Sequence, residues 1–231
     1  MKIVALLTGR GQNTFKDKNI KKIFNKPVLY YPCIEAKKSK YINSFFVSSE
    51  NKKILSAASK YGYKKIIRPN SLSKPNSKHI DVLKHALSVL SDMKIKPDIL
   101  VVLLANAPII KKKWIDDCIL TLQKNKKITS IVPVIKNNDN HPLRAKKIVK
   151  GYLRSHINNN SSPSNRQELE NNYFLCHNFW VINTKEIYKN NGDNPWSFMG
   201  KKVKSYQINK SIDIHSREDL EIAKLFMKKY K

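Results

Sequence analysis

Residues 1–20 read MKIVALLTGRGQNTFKDKNI, and the change from apolar to polar character inside this stretch decides the fold class. Positions 2–7 are a short apolar run suited to a buried strand, and Thr8-Gly9-Arg10-Gly11 follows at once. A strand that feeds a glycine-containing loop is where α/β proteins bind ligands. The run gives way to a basic loop with no small-residue cleavage site, so it reads as a first strand and not as a signal peptide.

Outward from this stretch, strand and helix patterns alternate. Positions 27–38 predict a helix with Pro27 in its first turn and Leu29, Cys33, Ile34 and Ala36 available to face a sheet. Strands are expected at 44–48, 64–67 and 129–134, with helices at 50–61, closed by Gly62, and at 111–124. A Ser, Pro and Asn-rich loop at 70–77 precedes a helix at 79–92, with Ile80, Leu83, Leu87 and Leu90 on one stripe. The run DILVVLL at 98–104 suits a central parallel strand covered on both faces. Such alternation argues for an α/β fold with a doubly wound, mostly parallel sheet.

After position 135 Asn and Ser become dense, and 137–172 is expected as an insertion of loops and short strands projecting from the sheet. Late strands are expected at 178–182 and 203–208, and an amphipathic helix at 216–229 carries Leu220, Ile222, Ala223 and Phe226 on one side. Ser216 with Asp219 resembles a capping box with Asp in place of Glu. No repeat or linker divides the chain, so residues 1–231 are expected to form a single domain.

The cysteines, Cys33, Cys118 and Cys176, lack the spacing of a zinc site or a disulfide framework, which points to reduced thiols and a cytoplasmic setting. No apolar stretch approaches the roughly 20 residues that cross a bilayer, so no membrane partner is expected. The net charge is +28, most of it Lys in scattered pairs and triples. Two readings stay open: lysine filling solvated faces across the chain, or a polyanionic partner such as nucleic acid or a nucleotide.

The loop that follows the first strand offers two glycines, several amides, Arg10, Lys16 and Lys18. Glycine lets backbone N–H groups approach phosphate oxygens, and the cations neutralise charge growing on a leaving pyrophosphate. Neither a Walker A loop nor a dinucleotide fingerprint is present. Composition alone leaves an ordinary solvated loop as an equal reading.

The run LLTGRGQNTFKDKNI, followed by NKPVLYYPCIEAKKS, resembles the opening of the acylneuraminate cytidylyltransferase (CMP-N-acetylneuraminic acid synthetase) family, whose pattern is A-R-x-x-S-K-G-x-P-x-K-N-I and then G-K-P-L. Arg10, Lys18 and Asn19 match its Arg and Lys-Asn pair, with one residue fewer between them. FFVSSENKKI, YGYKKIIRPNSL, DVLKHAL, VVLLANAPII, the segments at 140–143 and 165–169, and SIDIHSREDL resemble further family segments.

The resemblance implies a Rossmann-like sheet of the nucleotide-diphospho-sugar transferase type, with 137–172 as a dimerisation insertion, and CMP transfer from CTP to an acidic 2-keto sugar. Arg10 and Lys18 are then the expected catalytic residues. Gly9, Gly11, Gln12, Asn19 and the Ala105-Asn106 turn are expected to bind the nucleotide. Arg166, Gln167, His177, Asn178 and Asp81 are expected toward the sugar. The family's Asp-x-Asp metal pair reads Asp213-Ile214-His215 here. Alternate residues on a strand share a face, so Asp213 and His215 are expected to hold Mg²⁺, with Mn²⁺ favoured by a nitrogen ligand.

The implied partners are CTP, an acidic sugar and a second copy of the chain. The sugar could equally be 3-deoxy-octulosonate, legionaminate or pseudaminate. A basic nucleic-acid-binding relative and a non-catalytic relative are the competing readings; the first would bind unrelated DNA or RNA with steep salt dependence.

Overall fold

The computed structural model describes residues 1–158 and 163–228. In chain order the strands and helices are β1 (Ile3–Thr8), β2 (Lys22–Ile23), β3 (Lys26–Pro27), α1 (Tyr30–Lys37), β4 (Ser44–Ser49), α2 (Lys52–Ser59), β5 (Lys64–Ile67) and α3 (His79–Asp92). They continue with β6 (Ile99–Leu104), α4 (Lys112–Lys124), β7 (Ser130–Lys136), β8 (Lys146–Val149), β9 (Tyr152–Ser155) and β10 (Tyr173–Leu175). The last are β11 (Phe179–Asn183), α5 (Thr184–Lys189), β12 (Val203–Gln207) and α6 (Arg217–Lys228).

One mostly parallel sheet organises these elements. β1 lies between β4 and β6 and is parallel to both, and β5 extends the β4 side in the same sense. Beyond β6 come β11, antiparallel, then β7, then β12 parallel to β7. The chain leaves β1 for β4 and β5 on one side and returns to β6 on the other. That reversal opens a crevice above the carboxyl ends of β1 and β6, where open α/β sheets bind ligands.

Period-two alternation explains the two apolar runs at the centre. Ile3, Ala5 and Leu7 of β1, with Ile99, Val101 and Leu103 of β6, pack on one face against α1, α2 and α4. Val4, Leu6, Leu100 and Val102 pack on the other face against α3 and α5. Both faces are covered at these positions, so a polar side chain at any of them would be buried at a cost.

Helix ends follow local chemistry. The Asn51 side chain accepts from Lys53 N at 2.8 Å and Ile54 N at 3.3 Å, which starts α2. The Ser216–Asp219 box forms in both directions: Asp219 N donates to Ser216 Oγ at 3.1 Å, and Ser216 N donates to Asp219 Oδ2 at 2.9 Å. α6 then packs Leu220 and Ala223 on Ile23, Val28 and Ile214, while Ile222 is exposed. Position 229, included in the expected helix, lies outside the described residues, as do positions 159–162 of the insertion.

The first helix begins later than its sequence suggests. Lys26–Pro27 pairs instead with Lys22–Ile23, across a turn in which Phe24 and Asn25 both have positive φ. Val28 N and Leu29 N are drawn back to Lys21 O and Asn19 O at 2.9 and 3.0 Å, so helical geometry starts only at Tyr30.

A break between β10 and β11 also has a local cause. Pro133 of β7 offers a carbonyl to Cys176 N at 2.8 Å but has no N–H to return. Residues 176–178 bulge opposite it, over the end of β6, where Leu104 N donates to Asn178 O at 3.3 Å. In the insertion, β8 and β9 form a hairpin around Lys150 and Gly151, both at positive φ, the geometry that suits a two-residue turn. Every hairpin strand residue is exposed. The free cysteines Cys33, Cys118 and Cys176 are all buried. Among the described residues no helix is long and apolar enough to cross a membrane.

Candidate active site

A cleft of about 690 Å³ lies in the crevice above β1 and β6. Its floor is Thr8, Gly9 and Leu104, one wall is the loop carrying Arg10, Lys18 and Asn19, and the opposite wall carries Arg68, Ser77 and His79. Asn106, His177, Asp213 and His215 close the remaining side.

Two glycines set how closely the loop lies on its supports. A Cβ on Gly9 would stand 3.0 Å from Ala105 Cβ, and one on Gly11 would stand 2.2 Å from Asn51 Nδ2. Asn13 Nδ2 and Asn19 Nδ2 both donate to Arg10 O, at 2.6 and 2.9 Å, which fixes the backbone from which the Arg10 side chain leaves. The Arg10 guanidinium donates to Lys74 O at 3.0 Å across the cleft.

Lys18 is 8% exposed, and Asp17 before it takes the left-handed conformation that turns the chain inward. Burial lowers the Lys18 pKa, the Asp213 carboxylate opposes that shift, and Arg10 adds to it. Lys18 Nζ stands 3.3 Å from His215 Nδ1. Asp213 is mostly enclosed, and burial raises its pKa against the pull of His215 and Lys18. Its Oδ1 is buried without a hydrogen-bond partner. Asn106 pins this segment from below: its carbonyl accepts from Ile214 N at 3.0 Å.

The opposite wall is built on the end of β4. Arg68 donates to Ser48 Oγ at 3.2 Å and Ser48 O at 2.7 Å. Burial lowers its pKa to about 10, with Glu50 opposing the shift and Arg10 adding to it. His79 rests on the Trp180 ring, 5.0 Å between centroids, and its Nε2 is buried without a partner. Burial, with Arg68 and His177 nearby, lowers its pKa to about 3, so the imidazole is neutral. His177 packs between Trp180 and Trp196 at 5.6 and 5.5 Å, and burial lowers its pKa as well.

Of the residues singled out in the sequence, Gly9, Arg10, Lys18, Asn19, Asn106, His177, Asp213 and His215 line this cleft. The others do not. Ala105 is buried beneath Gly9, and Gln12 faces solvent. The Gly11 N–H is taken by Glu50 Oε1 at 2.6 Å. Asn178 is a buried brace that donates to Ile109 O at 2.5 Å and accepts from Ser211 at 2.7 Å. Asp81 is exposed on the first turn of α3. Arg166 pairs with Asp139 at 2.7 Å on the insertion, with Gln167 exposed beside it.

Arg68, Ser77 and His79 were not singled out, nor was Glu50 behind the wall. Glu50 directly follows β4 and Arg68 directly follows β5, both at carboxyl ends of parallel strands. The rule that pointed to the loop after β1 applies equally there.

Among the described residues no three His, Cys, Asp or Glu side chains converge as a ready cation cage. The orphan oxygen of Asp213 nevertheless fits a divalent cation whose other ligands are water and phosphate oxygens, the usual Mg²⁺ arrangement at nucleotides. His215 fits less well, because the nitrogen nearest Lys18 is already committed to it.

The chain is similar to known proteins in sequence and in fold. Residues 11–227 match the family described as Cytidylyltransferase. The chain is 29% identical over 127 residues to the Helicobacter pylori protein named pseudaminic acid cytidylyltransferase and UDP-2,4-diacetamido-2,4,6-trideoxy-beta-L-altropyranose hydrolase, a match that covers 54% of this chain and 24% of that protein. It is 28% identical over 92 residues to the N-acylneuraminate cytidylyltransferase of Escherichia coli O18:K1:H7, covering 39% of this chain and 22% of that one. The matched stretches thus span about a quarter of the length of these curated relatives.

Among solved structures, CMP:2-keto-3-deoxy-manno-octonic acid synthetase complexed with CTP superposes over the full length of both chains with a TM-score of 0.72 at 13% identity. The 4-diphosphocytidyl-2C-methyl-D-erythritol synthase of Anaerococcus prevotii gives 0.64 at 16% identity, over 98% of this chain and 96% of that one. At these identities the likeness shows the fold.

Proposed function

The chain belongs to the cytidylyltransferase family of nucleotidyltransferases, and from that premise we propose that its cleft transfers CMP from CTP to the anomeric hydroxyl of a sialic acid-like 2-keto sugar acid, releasing pyrophosphate. The observation that carries this reading is the convergence of Arg10, Lys18 and Asp213 above the carboxyl ends of β1 and β6. Two cations and one carboxylate with a free oxygen are what an incoming triphosphate and its counter-ion require. The names of the two curated relatives, for pseudaminic acid and N-acylneuraminate, support an acidic sugar as acceptor.

In this reading the sugar hydroxyl oxygen forms a bond to the α-phosphorus while the bond to pyrophosphate breaks, and negative charge grows on the leaving oxygens. The protein's task is mainly placement and electrostatic stabilisation. Lys18, held by His215 and attracted by Asp213, approaches the α-phosphate, and Arg10 leaves Lys74 O for the outer phosphates. Asn19 acts by holding the Arg10 backbone. Asp213 would hold Mg²⁺, or Mn²⁺, through its orphan oxygen. Such an ion, when bound, supplies charge neutralisation across the triphosphate. His79 and His177, both in the cleft lining, would border the part of it left for base and sugar.

The hairpin of the insertion supports a homodimer, because Ile148 and Leu153, cross-strand partners on it, are 75% and 67% exposed. Across that interface Arg166 would reach the acceptor sugar of the partner, where its two-pronged donor group suits a carboxylate. The three buried, unpaired thiols fit a cytoplasmic setting.

A pyrophosphate-release assay with each of the four nucleoside triphosphates and a panel of 2-keto sugar acids tests the reading. Release with CTP and one of the sugar acids is expected. Equal release from all four triphosphates, or none with any acceptor, would overturn it. The panel includes 3-deoxy-octulosonate, legionaminate and pseudaminate, and the preferred acceptor identifies the sugar.

A further inference from the structure

Glu50 stands behind the cleft wall at the end of β4, and its carboxylate has two hydrogen-bond partners on two different segments. Oε1 accepts from Gly11 N at 2.6 Å, on the loop that carries Arg10. Oε2 accepts from Ser73 Oγ at 2.8 Å, on the turn between Arg68 and Ser77 of the opposite wall. Ser73 is itself buried. Burial would push the Glu50 pKa up, but these bonds and the Arg68 charge outweigh it and hold the group ionised.

We propose that Glu50 is the positioning residue of the nucleotide site, a strut that fixes the phosphate loop at Gly11 to the opposite wall at Ser73 and so sets the width of the cleft. The assignment rests on the reading that the cleft binds CTP. It also reassigns Gly11, whose N–H serves the strut and not a phosphate. Geometry leaves the loop little alternative, since Gly11 is pressed against Asn51 with no room for a Cβ. Charge points the same way. Arg10 depresses the pKa of the buried Lys18 and Arg68, and Glu50 is the anion that offsets Arg68. Without it the Arg68 charge would face Arg10 with no offset from Glu50.

The experiment has one arm without nucleotide and one with it. The chain contains six glycines, and Gly11 alone follows an arginine. Protein labelled with ¹³C′-Arg and ¹⁵N-Gly therefore gives one correlated amide signal, that of Gly11. Its hydrogen exchange is expected to speed up at least tenfold in Glu50→Ala and to stay within about threefold of the parent in Glu50→Gln, which keeps an acceptor toward Gly11. Unchanged exchange in Glu50→Ala would overturn the strut.

In the kinetic arm, Glu50→Ala raises KM for CTP about tenfold or more with kcat within about threefold. Ser73→Ala raises KM less, and the double variant is no worse than Glu50→Ala. A fall in kcat alone, or effects of the two substitutions that multiply, would refute the positioning role. Should Glu50→Ala fail to fold, Glu50→Asp, one methylene too short to reach both partners, takes its place in both arms with the same expected and overturning results. If the parent protein turns over no CTP, the functional reading fails, while the Gly11 exchange still decides the strut.

Discussion

The neutral imidazole of His79 makes a quantitative statement about stability against pH. Its Nε2 is buried without a partner, Trp180 and Phe198 pack on the ring, and the charged or titratable groups near it are Arg68 and His177, neither of which favours protonation. In the folded protein the pKa is lowered to about 3, against 6.5 for an ordinary histidine. The unfolded chain therefore binds a proton below pH 6.5 that the folded chain refuses until about pH 3. Stability is fully present above pH 6.5 and is lost as pH falls through that window, by at most about 1.4 kcal/mol per pH unit.

Between pH 6.5 and 4.5 this one group accounts for about 2.3 kcal/mol. His177 and His85, whose pKa values are also lowered, add slope of the same sign. The test is urea denaturation of the parent and of His79→Phe, with His79→Gln as a second variant, at half-unit steps across the window. The expected result is a shallower pH dependence in both variants, with the difference accumulating above pH 4.5, before most carboxylates titrate. Parallel curves for parent and variants would refute the reasoning, because His79 would then take up its proton equally in both states.

Three other expectations concern the site and the surface. Lys18→Met removes a charge aimed at the reacting phosphate, so kcat/KM is expected to fall about 10²–10³-fold with the circular dichroism spectrum unchanged, measured by pyrophosphate release. Removing divalent ions with EDTA abolishes turnover, and Asp213→Asn weakens Mn²⁺ binding in the presence of CTP by tenfold or more in an electron paramagnetic resonance titration. Ile148→Asp combined with Leu153→Asp converts a dimer to a monomer by light scattering, with the thermal midpoint of the monomer fold little changed.

The legible parts of the fold were those where burial imposes a period. The stripe of Ile80, Leu83, Leu87 and Leu90 marks α3 at the bounds His79–Asp92 seen in the structure, and DILVVLL marks a strand that is covered on both faces. The helix at 27–38 was misplaced at its start because Pro27 suits a first helical turn and a strand edge equally. Tertiary bonds from Lys21 and Asn19 carbonyls decided between them. β10 and α5 went unread because each is short, three and six residues, with no room for a pattern to emerge.

The candidate site divides along the same line. Arg10, Lys18 and Asp213, which line the cleft, were singled out by the family resemblance, because composition alone left their loop equally readable as solvated surface. Ser77 was missed because 70–77 reads as a solvated Ser, Pro and Asn-rich loop, and Arg68 and His79, which flank that loop, were missed because nothing local says that the segment folds back over β4. Asn178 was assigned to the sugar, but its amide has donors and acceptors satisfied by Ile109 and Ser211. No sequence pattern distinguishes such a brace from a ligand contact.

The central claim is chemical, and ³¹P nuclear magnetic resonance of a reaction with CTP, Mg²⁺ and a 2-keto sugar acid tests it most directly. The expected result is a new phosphodiester signal that grows in step with pyrophosphate, is absent when CTP is replaced by ATP, GTP or UTP, and is lost in Lys18→Met. A spectrum in which CTP stays intact beside every acceptor, or yields phosphate without a phosphodiester product, would contradict the account.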